Sequence, residues 1–196
     1  MDRTTIRRTE RAVHDTAVRD AILDEALVCH VGFVADGHPV VIPTIHARIG
    51  DNLYLHGSGA SSLLGRTRGG TDVSICVTIL DGLVLAKSVF HHSMNYRSVV
   101  VFGRADRVTD PEEKLAALEA ITNHVQPGRW DEARQPTRDE LTQTVVVRVP
   151  LNETSTKVRT GPPVDDEADV DLDVRSGVVP VSLVRSELTD PVGGVG

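Results

Sequence analysis

Between Ala26 and Leu151 the chain keeps reversing at short turns, and the runs between those turns have strand rather than helix patterning. Residues 26–34 are apolar or alternating, Asp36-Gly37 is a strong two-residue hairpin signal, and residues 38–49 read as the partner strand. Gly50-Asp51-Asn52 turns the chain again before a strand that begins at Leu53. Further β-rich runs cover residues 72–80, 83–89, 96–108 and 144–151. Strands that follow one another across tight turns pair antiparallel, and so many of them predict a sheet closed into a barrel, which removes its edges. Helical spacing is confined to residues 16–26, a short piece after Ser62, residues 111–125 and residues 137–141. Asp15 or Thr16 is available to cap the first. Asp110 caps the third, with Pro111 in its first turn and Leu115, Leu118 and Ile121 on one face. The expected class is α+β, mainly β, an antiparallel barrel with a few peripheral helices; helices this few and clustered exclude a doubly wound parallel sheet.

The chain has 196 residues and a formal net charge of −7, with a sequence pI near 5.6. That balance argues against sequence-blind nucleic-acid binding, which needs a basic surface to displace counterions. No apolar run is long enough to span a membrane, and the first fifteen residues contain no apolar signal core, so a cytoplasmic protein is expected. Cys29 and Cys76 lie in apolar runs far apart, without metal-ligand spacing, and read as buried thiols. Three regions follow: an N-terminal arm over 1–15, the barrel over 16–151, and an extension over 152–196. The extension carries an acidic linker and a segment, residues 176–184, able to dock as an extended strand.

The chemistry-bearing residues are few. His56-Gly57-Ser58-Gly59-Ala60-Ser61-Ser62 follows a strand and opens a short helical piece, so it is either an anion-binding turn or a serine-capped one. Arg97, between Tyr96 and Ser98 at the mouth of the VVVFGRA strand, offers a guanidinium fork to a phosphate or forms a surface ion pair. His46 and His56 are either core histidines or proton donors beside a ligand. The adjacent His91 and His92 read as a loop or interface pair, because neighbours in a strand point to opposite faces. The Lys157–Pro163 stretch is either a solvated linker or an arm reaching an anion. No nucleophile elbow, HExxH or Cys/His metal spacing occurs, so any redox chemistry comes from a cofactor.

The runs VCHVGFVADGHPVVIPTIHARIGDNLYLHGSGASS and VSICVTILDGLVLAKSVFHHSMNYRSVVVFGRA, with PGRWDEARQPTRDEL and STKVRTGPPVDDE downstream, resemble the pyridoxamine 5′-phosphate oxidase-like flavoproteins. Within them the chain is most similar to a flavin-nucleotide-binding branch related to nitroimidazole reductases. The resemblance implies an FMN-binding split β-barrel that works as a homodimer, with flavin held at the subunit interface. It implies that Val41, Ile42, Pro43 and Thr44 line one side of the flavin. His56, Gly57 and Ser58 would follow the ring and ribityl chain, and Ser61 and Ser62 would meet the phosphate. Tyr96, Arg97 and Ser98 would contribute from the opposite strand. Ser61 and Ser62 stand where the oxidase carries an Arg-Lys pair, and TDPVGGVG lacks that enzyme's substrate-binding Arg/His segment, so pyridoxamine phosphate oxidation is not expected. Val174-Arg175-Ser176 stand where related chains commonly carry a tryptophan before the glycine of SGVVP. The implied function is an FMN-dependent oxidoreductase with a small-molecule electron donor and acceptor, and His56 is the one proton-transfer candidate. The alternative is a non-catalytic flavin- or haem-binding protein.

Overall fold

The structure is a computed structural model, and it describes residues 3–6, 8–186 and 188. These fall into two compact units: one of the residues up to Ile79 together with Tyr96–Arg159, the other of Leu80–Asn95 with the residues from Thr160 on.

The first unit starts with β1 (Ala12–Val13) and α1 (Thr16–Glu25). Asp15 caps α1, its carboxylate accepting from the Ala17 N–H at 2.8 Å. Strands β2 (Val28–Ala35) and β3 (His38–Ile45) form the expected hairpin, with Asp36 and Gly37 at φ 52° and 82° as a two-residue primed turn requires. The predicted strand 38–49 is two strands. It breaks at His46, which is fully buried and whose Nε2–H donates to the Leu23 carbonyl at 2.9 Å. That corner carries the chain from the ladder with β2 into β4 (Ala47–Ile49), which pairs with β5 (Asn52–Ser58).

β6 (Thr71–Leu85) and β7 (Ser93–Arg107) follow, then α2 (Pro111–Val125), α3 (Arg129–Glu132), α4 (Arg138–Gln143), β8 (Thr144–Pro150) and β9 (Thr154–Arg159). The strand order is β3-β2-β6-β7-β8-β5-β4, with β9 joining β1 to β7. This path is open, which corrects the closed barrel expected from the turns. The split lies along β7. Tyr96–Val101 ladder with β9, whereas Asp106 and Arg107 ladder with β8. Gly103 lies between the two ladders, where a Cβ would come within 3.0 Å of the Val149 side chain. The fold is therefore an α+β, mainly antiparallel split β-barrel.

Alternation fills the core. Cys29, Val31 and Phe33 of β2 meet Leu53 and Leu55, Val73, Ile75 and Val77, Val99 and Val101, and Val145, Val147 and Val149, with Ile22 and Leu23 of α1 closing one end. Each such side chain contributes about 1.5–3 kcal/mol on burial. On the other face of the β4-β5-β8 ladder, α2 buries Ala117 and Ile121; Leu115, expected on that face, is exposed. Cys76 also departs from expectation. It lies half-buried on the face of β6 opposite the core, paired with His30, while Cys29 points inward.

In the second unit, β10 (Gly177–Pro180) pairs with Gly82–Leu85. Asp81-Gly82 does not interrupt β6, as its composition implied. A Cβ on Gly82 would fall 2.8 Å from Val178, so the glycine makes room for β10. None of the described helices is long and apolar enough to cross a membrane.

Candidate functional site

Within the first unit the twelve predicted flavin residues occupy two places. Val41, Ile42, Pro43 and Thr44 lie on β3, which ends the strand order and so carries an unpaired backbone edge among the described residues. Val41 is 65% exposed. The end of β3 approaches β5, which carries His56, Gly57 and Ser58, and the Ser61-Ser62 turn follows directly. Tyr96, Arg97 and Ser98 are elsewhere, on the part of β7 that pairs with Val158 and its neighbours in β9. Nine residues of extended chain, roughly 30 Å, separate Arg97 from Asp106, where β7 begins to ladder with β8.

The turn after β5 holds itself together. The Ser61 Oγ accepts from the Leu64 N–H at 3.1 Å, and the Ser58 Oγ accepts from the Ala60 N–H at 3.2 Å. The piece that follows is a six-residue 3-10 helix, Leu64–Gly69. A Cβ on Gly57 would meet the Leu64 side chain at 2.9 Å, and one on Gly59 would meet Val145 at 3.3 Å. These glycines let the turn pack on its own strand, so the serine-capped reading describes the geometry.

Arg107 was not singled out by the sequence. It pairs with Val147 in register with Leu55 on the far side of β8, and its Nη2 donates to the Leu64 carbonyl at 3.0 Å. Its Nε is buried without a partner, as is Nδ1 of His56. Burial lowers the His56 pKa below the usual histidine value, so the ring is neutral near pH 7. Two orphaned buried nitrogens near this turn lack partners among the described residues.

Arg97 holds its own carboxylate. Both Nη groups donate to Glu25 at the end of α1, Nη2 to Oε1 at 2.8 Å. His46 belongs to the core: its ring lies 5.1 Å from that of His124, and burial pulls its pKa down to about 4. Lys157, Val158 and Arg159 are in β9 rather than in a linker. No cluster of three or more His, Cys, Asp or Glu able to hold a metal ion occurs among the described residues. A polar cavity of about 100 Å³ bordered by His14, Asp15, Arg19 and Thr156 contains none of the predicted site residues.

Residues 15–158 match the family described as pyridoxamine 5′-phosphate oxidase. The flavocytochrome Anf3 from Azotobacter vinelandii is 36% identical, with a TM-score of 0.89 over 100% of this chain and 92% of its own. The FAD and haem binding protein from Mycobacterium smegmatis is 34% identical, with a TM-score of 0.87 over 95% of this chain and 92% of its own. A protein from Bacteroides thetaiotaomicron named for 5-nitroimidazole antibiotic resistance shares the fold at 24% identity and a TM-score of 0.63, over 75% of this chain and 86% of its own. No curated protein matches the chain.

Proposed function

Because the chain belongs to the pyridoxamine 5′-phosphate oxidase-like family of flavin-binding split barrels, we propose that it is a homodimeric redox protein carrying a flavin nucleotide and haem. The observation that carries this reading is the near full-length likeness, at 36% and 34% identity, to a flavocytochrome and to a protein named for binding FAD and haem. When bound, a flavin takes two electrons from a small-molecule donor and passes them on singly, and haem accepts single electrons.

The residues of this chain fit a flavin. The free edge of β3 offers backbone groups at Val41, Ile42, Pro43 and Thr44, and Val41 and Pro43, which share the strand face opposite the core, give an apolar wall for a ring system, while Ile42 packs inward. The orphaned Nδ1 of neutral His56 has one hydrogen bond still to make in the same place. His56 orients the ring through that bond, and the tautomer it adopts decides whether it donates or accepts. A second copy docked on the exposed Val28, Val34 and Val41 face would exclude water from the cleft. In the dimer, Tyr96, Arg97 and Ser98 would come from the partner subunit, because a single chain keeps them apart from the Ser61-Ser62 turn.

FAD is favoured over the FMN expected from the sequence. The relative at 34% identity is named for FAD. The test is the absorption spectrum of the purified, desalted protein before and after reconstitution, followed by chromatography of the released flavin and gel filtration. Flavin bands with a Soret band, FAD on release and a dimer are expected, and FMN on release would overturn only the choice of nucleotide. Oxidation of a nicotinamide donor by the loaded protein tests the oxidoreductase activity. A colourless protein that accepts neither group would overturn the reading.

A further inference from the structure

We propose that His92 is an axial ligand of haem iron, held by the second compact unit; this rests on the haem part of the function proposed above. An axial imidazole needs a neutral ring with one nitrogen bare and the other fixed by a hydrogen bond, because that second bond sets the tautomer and the ring orientation. His92 has this hydrogen-bond pattern. Its Nδ1–H donates to the Ser88 carbonyl at 3.0 Å, and its Nε2 has no partner among the described residues.

The other histidines differ. His46 and His124 commit Nε2 to the carbonyls of Leu23 and Ala26, and the Nε2 of His91 faces the Asp166 carboxylate at 3.0 Å. His14, His30 and His38 are exposed, with no ring hydrogen bond among the described residues to fix a tautomer. His56 has its free nitrogen buried.

The surroundings of His92 suit a flat apolar disc. Val89 and Phe90 are 88% and 86% exposed, and Met94 is 50% exposed, all within three residues of the ring. A run this apolar is costly to leave in water and contributes an apolar wall when covered. The segment is also held in place. The Lys87 N–H donates to Asp165 at 2.7 Å, and its ammonium donates to the carbonyls of Val170 and Leu172, the latter at 2.7 Å. With the His91–Asp166 contact, the acidic stretch from Asp165 to Leu172 clamps both sides of the loop that presents His92. That stretch lies beyond residue 158, where the family match ends, yet the likeness to the flavocytochrome continues over the whole chain.

The test is titration of the full-length protein with ferric haem, comparing wild type, His92→Ala and the exposed His14→Ala by Soret position, spin state and affinity. Wild type is expected to bind haem, with Nε2 donating its lone pair to the iron in place of water. His92→Ala should bind at least about tenfold more weakly, with a displaced, high-spin Soret band that added imidazole restores, while its flavin uptake stays intact and reports folding. His14→Ala should keep the wild-type band. A His92→Ala protein with the wild-type Soret band and affinity overturns the ligand assignment alone. A wild-type protein that takes up no haem overturns both the assignment and the haem part of the proposed function.

Discussion

The guanidinium of Arg97, in the middle of β7, is closed on the carboxylate of Glu25 at the last turn of α1, with Nη2 and Oε1 2.8 Å apart. The fork that the sequence offered to a phosphate thus already holds an anion of the chain's own. If Arg97 contacts flavin phosphate across the dimer, Glu25 competes with that contact. Arg97→Ala should then weaken flavin binding about tenfold, roughly 1.4 kcal/mol, and Glu25→Gln should leave it equal or tighter. Fluorescence titration with FAD and with FMN measures both. Unchanged affinity in Arg97→Ala would reduce the pair to a pin between α1 and β7.

His46 makes stability depend on pH. Burial depresses its folded-state pKa to about 4 from the ordinary 6.5. Above 6.5 the ring is neutral in both states and adds no pH dependence. Between 6.5 and 4 only the unfolded chain takes up the proton, so stability falls as pH drops, by about 3 kcal/mol across the window. Below 4 both states are protonated and this loss stops. Urea denaturation of wild type and His46→Gln at several pH values checks the slope; the variant should lose the part of the acid sensitivity that lies in this window.

Gly82→Ala should loosen β10. The added Cβ would sit 2.8 Å from Val178 and 3.1 Å from the Val179 carbonyl, and the backbone atom cannot rotate away. A cost of about 1–3 kcal/mol is expected, felt by the docked strand. Limited proteolysis should cut near Gly177–Pro180 faster than in wild type. An unchanged cleavage pattern would mean that β10 tolerates the shift.

Cys29 should resist alkylation in the native protein. Its thiol is buried against the core, and burial pushes its pKa up to about 12, so almost no thiolate exists at mildly alkaline pH. Iodoacetamide labelling followed by peptide mass mapping should leave Cys29 unmodified until urea is added. Native labelling at Cys29 would show that β2 opens locally.

Much of this fold was legible because its signals are local. Asp36-Gly37 and Asp110-Pro111 mark their elements in short stretches, and the turn and α2 follow them. β9 was hidden because Ser155 and Thr156, its most buried residues, are polar, so alternation of apolar and polar residues does not reveal it. The open path of the sheet was hidden for a different reason. It depends on how β7 divides its two ladders, a pairing of residues far apart in the chain. At the site, His56 and the serine turn could be read from the HGSGASS run, since those residues are neighbours. Arg107 could not, because only the β5-β8-β7 register sets it across β8 from Leu55.

The pairing of Ala12 and Val13 with Thr156 and Lys157 sets when the molecule can fold. The chain's first strand has no partner until the ribosome has delivered almost the last residues of the same unit, and Tyr96 waits equally for Arg159. During synthesis β2 and β3 can form their hairpin early, but the outer edges of the sheet stay unpaired until β8 and β9 emerge. Completion of this sheet is therefore a late event in synthesis, and a truncation before β9 would leave sticky strand edges rather than a smaller stable domain.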